Sequence, residues 1–402
     1  MNAPRIAPPP EDTRVIRTET EALDAADRLA RDFARGAAAR DRDRILPWEE
    51  LERFSASGLW GITVPREQGG AGVSAGTLAR VIARIAAADG SLAQIPQNHF
   101  YALEVLRSGG TAAQQALFGG LALKGLRFGN ALAEIGARDF KRRTRLSREA
   151  GRLFVDGQKF YCTGAIYAHW IPTLVVDDAG VQQMVFIPRG APGVSVTDDW
   201  DGFGQRVTGS GSVRFERVAV EPDWVIPFQA SFERPTPIGP LAQIMHAAID
   251  LGIGQGAFAE TLPFIRERAR PWLDAGVASA AEDPLTLEGL GGVAVKLRAA
   301  EALLARAGRA VDAAIAEATE ASVAEASLAV AAARAASTQA GLLAASKLFE
   351  YTGTSATQAE DNLDRHWRNV RVHTLHDPVR WKYHAIGNHV LNGINPPRHG
   401  AI

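Results

Sequence analysis

Residues 364–384 hold four of the chain's nine histidines, together with two tryptophans and four arginines. Imidazole titrates nearest neutrality of the side chains, so it can give or take a proton at modest cost. His373 and His376 are three apart, which puts them on one face of a helix. Pro378 disfavours helical geometry at Asp377, so the helix is expected to end around His376, where a side chain can face a pocket. Residue types alone fit a second reading better: an amphipathic helix end with satisfied histidines and a solvated arginine face. The pair has no third ligand at metal-binding spacing nearby, so no metal is expected.

The elements that would position these residues follow from the rest of the chain. With 402 residues, 46% apolar and 22% charged, the composition is that of a soluble globular protein of two or three domains. A net charge of −1, with only Lys141-Arg142-Arg143 as a basic run, argues against nucleic-acid binding. The proline-rich Met1–Pro10 lacks an apolar core, so neither a signal peptide nor a membrane span is expected there. A single cysteine, Cys162, excludes an intrachain disulfide and is read as a buried, inert strand thiol.

Periodicity divides the chain into a disordered arm (1–17), a helical domain (18–125), a β domain (126–238) and a helical bundle (239–402). Thr18-Glu19-Thr20-Glu21 is a capping box for a helix expected to reach about Arg40. Pro47 opens a second helix that Gly58 closes. Further helices are expected over 76–88, over 92–108 (carrying His99), and from Thr111 to Gly119-Gly120. Residues 127–226 alternate with a period near two, with turns every eight to twelve positions, which reads as a small sandwich or barrel. Asp156-Gly157 is read as one hairpin turn and Asp178-Ala179-Gly180 as another. Helices are then expected over 244–270, ended by Pro271, over 290–318 and over 322–351, the last opened by a Ser322/Glu325 box. A functional site would sit at a seam between domains.

The helix–β–helix order and several local stretches resemble the acyl-CoA dehydrogenase fold. Gly58 to Gly72 looks like the family's Gly-Leu-x-Gly-x-x-Val-Pro-x-x-x-Gly-Gly-x-Gly signature. Asn130 to Glu134 and Lys159 to Gly164 resemble its two flavin-contacting β segments. Arg368 to Val379 is similar to the Arg-Asn-x-Arg-x-His-Thr-Leu-His-Asp-Pro-Val run of one branch: reduced-flavin-dependent monooxygenases of the dibenzothiophene-monooxygenase and sulfur-acquisition type. The resemblance covers about residues 18–395.

That resemblance implies the oxygenase of a two-component system. Reduced FMN would come from a separate flavin reductase and would react with O2 through a C4a-hydroperoxyflavin, to oxygenate a small organosulfur compound. Protecting that species requires neutral hydrogen-bond donors around the flavin N5 and the peroxide, in a site that excludes water. His376 is implied to bond the hydroperoxide, His373 to support it or shape the pocket, and Thr163 to bond the flavin N5 region. His99 corresponds to a histidine on the substrate side of the flavin, although a lone helical histidine also has a structural reading. Asn130, Leu132 and Ala133 would contact the isoalloxazine ring. Arg268 or Arg270 would reach a neighbouring subunit's flavin phosphate, and Glu350 and Gly353 are also placed at the cofactor. The family implies a cytoplasmic homotetramer. Two rivals remain: an FAD-dependent acyl-CoA dehydrogenase with Asp377 as base, and a flavin-free scaffold of the same fold.

Overall fold

The computed structural model describes residues 12–135 and 142–401. Six helices come first: α1 (Glu19–Ala34), α2 (Ala37–Asp43), α3 (Trp48–Ser57), α4 (Ala75–Ala88), α5 (Gly90–Gly109) and α6 (Ala112–Leu123). The Thr18 hydroxyl accepts the Glu21 amide as an N-cap, but the Glu21 carboxylate accepts the Arg17 amide rather than that of Thr18, so only half of the expected box forms. The helix stops short of Arg40. The Arg40 guanidinium caps the Phe33 carbonyl and lies over Gly36, where an added Cβ would meet it at 2.6 Å. Gly119 and Gly120 do not end α6. Gly119 instead lets α6 approach Gln68, whose Oε1 would lie 3.2 Å from a Cβ there. The expected arm is ordered where it is described: Ile16 is buried, and the Arg14 amide donates to the Ala56 carbonyl. Residues 1–11 lie outside the described residues.

Seven strands follow: β1 (Arg145–Glu149), β2 (Arg152–Lys159), β3 (Trp170–Asp177), β4 (Gln182–Pro188), β5 (Val194–Thr197), β6 (Ser212–Val220) and β7 (Val225–Pro227). They hydrogen-bond in the order β5-β6-β2-β1-β3-β4-β7, antiparallel except for β1 beside β3. The Asp178-Ala179-Gly180 turn joins β3 to β4 as expected. Asp156-Gly157 does not turn the chain. It sits inside β2 at a register shift against β6, and the hairpin turns instead at Ala150 and Gly151, both at positive φ.

The chain then returns to helix: α7 (Gln229–Phe232), α8 (Ile238–Glu267), α9 (Pro284–Ala316), α10 (Glu320–Thr352), α11 (Asp364–His373) and α12 (Arg380–Asn392). α8 ends before Pro271, with Arg268 at its C-cap. The capping box of α10 is Thr319 with Ser322, one turn earlier than expected. α10 is long and apolar enough to cross a membrane, but 67% of its most apolar window is buried within the fold, as in a core helix.

Glycines in α8 cost helix propensity, about 1 kcal/mol each relative to alanine, and here they gain close packing. A Cβ at Gly252 would lie 2.3 Å from the Ala83 carbonyl oxygen of α4, and one at Gly254 would lie 2.7 Å from Gly341 Cα of α10. α8 is therefore clamped between the N-terminal helices and the bundle. Gly252→Val is expected to destabilise the chain by about 1–3 kcal/mol or more through overpacking. Urea unfolding at neutral pH checks this, and an unchanged midpoint would show that α4 and α8 do not pack this closely.

Candidate active site

Three helices of the bundle converge on one carboxylate. α8 carries His246 and Asp250 four residues apart on one face, α10 carries Arg334 and Thr338 in the same relation, and α11 ends on His373. Asp250 is fully buried. It pairs with the Arg334 guanidinium and accepts hydrogen bonds from the Thr338 hydroxyl (2.8 Å) and from His373 Nδ1 (2.5 Å). Burial pushes this carboxyl upward, and Arg334 and Thr338 oppose that. Three donors on one carboxyl are the pattern of a paired, ionised group.

The carboxylate sets the tautomers beyond it. His373 gives its Nδ1 proton to Asp250, so its Nε2 is an acceptor for His246 Nδ1, 3.0 Å away. His376 lies just past the end of α11. Its Nδ1 donates to the His373 carbonyl (2.7 Å), and its Nε2 accepts from Gln94 Nε2 on α5 (3.1 Å). The three rings lie tilted against one another, with centroids 4.8–5.1 Å apart and planes 36–52° from parallel. Burial pushes all three histidines below their ordinary pKa, so the cluster is neutral at pH 7.

His376 is the exposed member, although protein encloses its ring closely enough to depress its pKa. The ring is thus open to solvent on one side, the recess, and packed by protein on the other. The geometry also corrects one expectation. His376 spends its proton on a backbone carbonyl and its Nε2 lone pair on Gln94, so the neutral ring can offer a ligand an acceptor, and no donor, only where that ligand displaces the Gln94 amide.

The β domain brings the other half. The Thr163 hydroxyl is bonded to the Ser210 hydroxyl (2.7 Å), and Ser210 to the Thr208 hydroxyl (2.7 Å). The Thr208 hydroxyl donates to the Gln205 carbonyl (3.0 Å). The Gln205 amide in turn donates to Asn369 Oδ1 on α11 (2.6 Å). A chain of hydrogen bonds thus runs from Thr163 to the helix that carries His373. Gly164, next to Thr163, is at φ +74 and packs on Ile95, the neighbour of Gln94. Thr163 and His376 are therefore positioned from one turn of α5.

Asn130 to Ala133 runs beside this turn. A Cβ at Gly129 would lie 2.8 Å from Ala165 Cα, so the two segments touch backbone to backbone. Asn130 Oδ1 accepts the Leu132 amide (3.0 Å), and the Ala133 carbonyl accepts the Phe160 amide (3.0 Å). Asn130, Leu132 and Ala133 are all partly exposed. Glu134 is held by buried Lys159 (2.5 Å), which keeps its carboxyl down at about 2 although burial alone would raise it.

His99 is not part of the recess. It is fully buried, accepts the Phe128 amide at Nδ1 (3.1 Å) and donates from Nε2 to the Trp60 carbonyl (2.8 Å). Both nitrogens are committed, so it fastens the glycine-rich loop to the β domain and offers nothing to a substrate. Arg268, Arg270, Glu350 and Gly353 lie at the exposed ends of α8 and α10 and share no hydrogen bond with the histidines among the described residues. Arg268 forks onto Asp361 (2.8 Å twice) and stacks on Phe264, and Glu350 pairs with Lys347 (2.6 Å). Cys162 is buried, and burial raises its thiol pKa far above neutrality. Asp377 faces Lys382 (3.3 Å) and Arg334 (3.5 Å), which neutralise it.

Sequence reasoning missed His246, Asp250, Arg334 and Gln94. One signal was present: a histidine and an aspartate four residues apart within a long apolar helix cannot be buried without partners.

His99→Ala would leave two buried backbone groups unpaired, each costing about 1–3 kcal/mol. A lower urea midpoint is expected, and a wild-type midpoint would contradict the fastening role. Acid gives a second check. Burial holds His99 at about 3 in the folded chain against 6.5 unfolded. Between those values the unfolded state binds more protons, so this contribution is complete above pH 6.5 and is lost as pH falls towards 3. The buried cluster adds to the same loss. Denaturant titrations should therefore show stability falling from pH 7 to pH 5, and a flat profile would mean these histidines are not buried neutral.

Comparison with known proteins places the chain as a whole. The acyl-CoA dehydrogenase N-terminal domain matches residues 17–124, and the acyl-CoA dehydrogenase C-terminal domain matches residues 244–381. The chain is 35% identical to the "Probable FMNH2-dependent monooxygenase SfnC" of Pseudomonas putida, over 98% of each chain. It is 34% identical to the dibenzothiophene monooxygenase of Rhodococcus erythropolis, over 92% of each. The FMN-bound crystal structure of TdsC from Paenibacillus sp. A11-2 superposes with a TM-score of 0.91 at 31% identity, covering 95% of this chain and all of the other. With both domain matches in place and full-length relatives at this identity, the chain belongs to the acyl-CoA dehydrogenase family, in the branch that contains the FMNH2-dependent monooxygenases.

Proposed function

We propose that the chain is the oxygenase component of a two-component flavin-dependent monooxygenase. It takes FMN reduced by a separate reductase, together with O2, and oxygenates a small organosulfur compound in sulfur acquisition. The observation that carries this reading is the neutral His376 at the recess, backed by His373 and Asp250. A dehydrogenase with its base in this segment would need a free carboxylate there, and Asp377 is turned onto Lys382 and Arg334.

The residues present fit a reduced flavin. Gln94 Oε1 is buried without a partner beside His376, an acceptor that a donor-bearing ligand would satisfy. Thr163 and the partly exposed Asn130, Leu132 and Ala133 would hold the ring. Arg270, which is exposed and has no ion pair among the described residues, would reach a neighbouring subunit's phosphate more readily than Arg268, which is held by Asp361. Bound reduced FMN supplies the two electrons that let O2 place one oxygen atom on sulfur and the other in water. With the Gln94 amide displaced, His376 Nε2 would accept a hydrogen bond near the reacting oxygen. The Thr163 hydroxyl, anchored through Ser210, bonds the ring edge. The neutral cluster keeps the recess free of an anion that would compete for the proton.

A homotetramer is part of the same reading. Leu273 and Leu391 are 90% and 83% exposed, as apolar residues awaiting subunit contacts would be. So is a cytoplasmic location, beside the reductase.

The test supplies reduced FMN from a flavin reductase, 18O2 and a panel of thiophenes, sulfones and sulfinates. Labelled, oxygenated product from one of them is expected. Anaerobic reduction of bound FAD by an acyl-CoA thioester would overturn the proposal in favour of a dehydrogenase. Binding of neither flavin would favour a scaffold.

Two variants refine it. His376→Ala should keep flavin affinity within a few-fold but release most of the consumed oxygen as hydrogen peroxide; unchanged coupling would remove His376 from the mechanism. Thr163→Ala should also uncouple the reaction, and Ser210→Ala should do so less strongly. Equal product yield from all three chains would show that the hydroxyl chain is dispensable.

A further inference from the structure

His373 and His376 gave the sequence no third nitrogen, and the fold supplies one 127 residues away in His246. One ring nitrogen from each histidine lies within 4.8 Å of the other two. His246 Nδ1 and His373 Nε2 are already 3.0 Å apart. Two imidazoles on one tetrahedral Zn2+, at about 2.0–2.1 Å each, place their nitrogens about 3.3 Å apart.

Two of the three rings are also held as metal-ligating imidazoles are held. His373 gives its far nitrogen's proton to the Asp250 carboxylate, and His376 gives its own to a backbone carbonyl. Both bonds leave Nε2 as a lone pair aimed inward, which is the outer-shell arrangement that orients histidine ligands and raises their basicity. Only His246 must move its proton to the opposite nitrogen. Nearby charge is balanced, since Asp250 and Asp377 offset Arg334 and Lys382. His376, the exposed member, opens the site to solvent.

We propose that His246, His373 and His376 form a binding site for a divalent transition-metal ion of the Zn2+ class, and that occupancy inhibits the oxygenase reversibly. Three neutral nitrogens favour Zn2+, Cu2+ or Ni2+ over Mg2+ or Ca2+, which prefer oxygen. A small swing of His376 away from Gln94 closes the triangle, and water completes the tetrahedron. The bound ion takes the Nε2 lone pair that the proposed oxygenase function needs, so the inhibitory half of the proposal rests on that reading. The binding half does not.

The test uses tag-free, flavin-free full-length protein, titrated with Zn2+ by calorimetry and with Co2+ by visible spectroscopy. One ion per chain is expected, with the intense visible bands of four-coordinate Co2+. His246→Gln should abolish those bands and weaken Zn2+ by at least about 10–100-fold, the range seen when even an outer-shell partner is lost. Gln94→Ala removes the competitor for His376 Nε2, so it should leave affinity unchanged or raise it, a direction that general damage to the fold would not produce. Co2+ without these bands, or equal Zn2+ affinity in the wild type and in His246→Gln, would overturn the site. If Zn2+ binds as described but peroxide leakage and turnover are unaffected, the inhibitory role is wrong and the site stands.

Discussion

One buried interaction organises this molecule: the Asp250 carboxylate with Arg334, Thr338 and His373. Removing a charge from water is costly unless it is paired and hydrogen-bonded. Here the pairing requires α8, α10 and α11 to meet at one point. The glycines of α8 make that meeting possible, because they let α4 and α10 approach its backbone. The same carboxylate then fixes the His373 tautomer, and through it the proton positions on His246. The His373 carbonyl fixes His376. Local chemistry in the recess is thus a consequence of how three helices satisfy one charge.

The second constraint is the seam. The elements of the candidate site come from three parts of the chain, and hydrogen bonds join them. Gln94 on α5 holds His376, while the Thr163–Ser210–Thr208 hydroxyls connect through Gln205 to Asn369 on α11. His99 ties the glycine-rich loop to the first β segment. None of these links is strong alone, at about 1 kcal/mol net for an ordinary hydrogen bond. Together they tie the loop residues His376, Thr163 and Ser210 to the helices around them.

Much of the fold was legible in the sequence because its signals are local. The Thr18 N-cap, Gly58 at a helix end and the Asp178-Ala179-Gly180 turn each depend on neighbouring residues, and the structure has all of them. The misreadings were places where a distant group decided the outcome. α1 ended at Ala34, where Arg40 caps the Phe33 carbonyl, packing against Gln68 explained Gly119, and pairing with β6 absorbed Gly157 into a strand. The candidate site divides in the same way. His373, His376 and Thr163 were visible as a cluster and a motif, whereas His246, Asp250 and Arg334 are joined to them only by helix packing. His99 was visible too, but its residue type could not show that both nitrogens were already committed to backbone.

The central claim is that this recess directs the reaction of reduced FMN with oxygen. Stopped-flow mixing of oxygenated buffer with the protein and anaerobically reduced FMN tests it most directly. The account predicts a protein-dependent absorbance transient belonging to neither reduced nor oxidised FMN, which decays faster when the organosulfur substrate is present. Reoxidation identical in rate and spectrum to that of free FMN would contradict it.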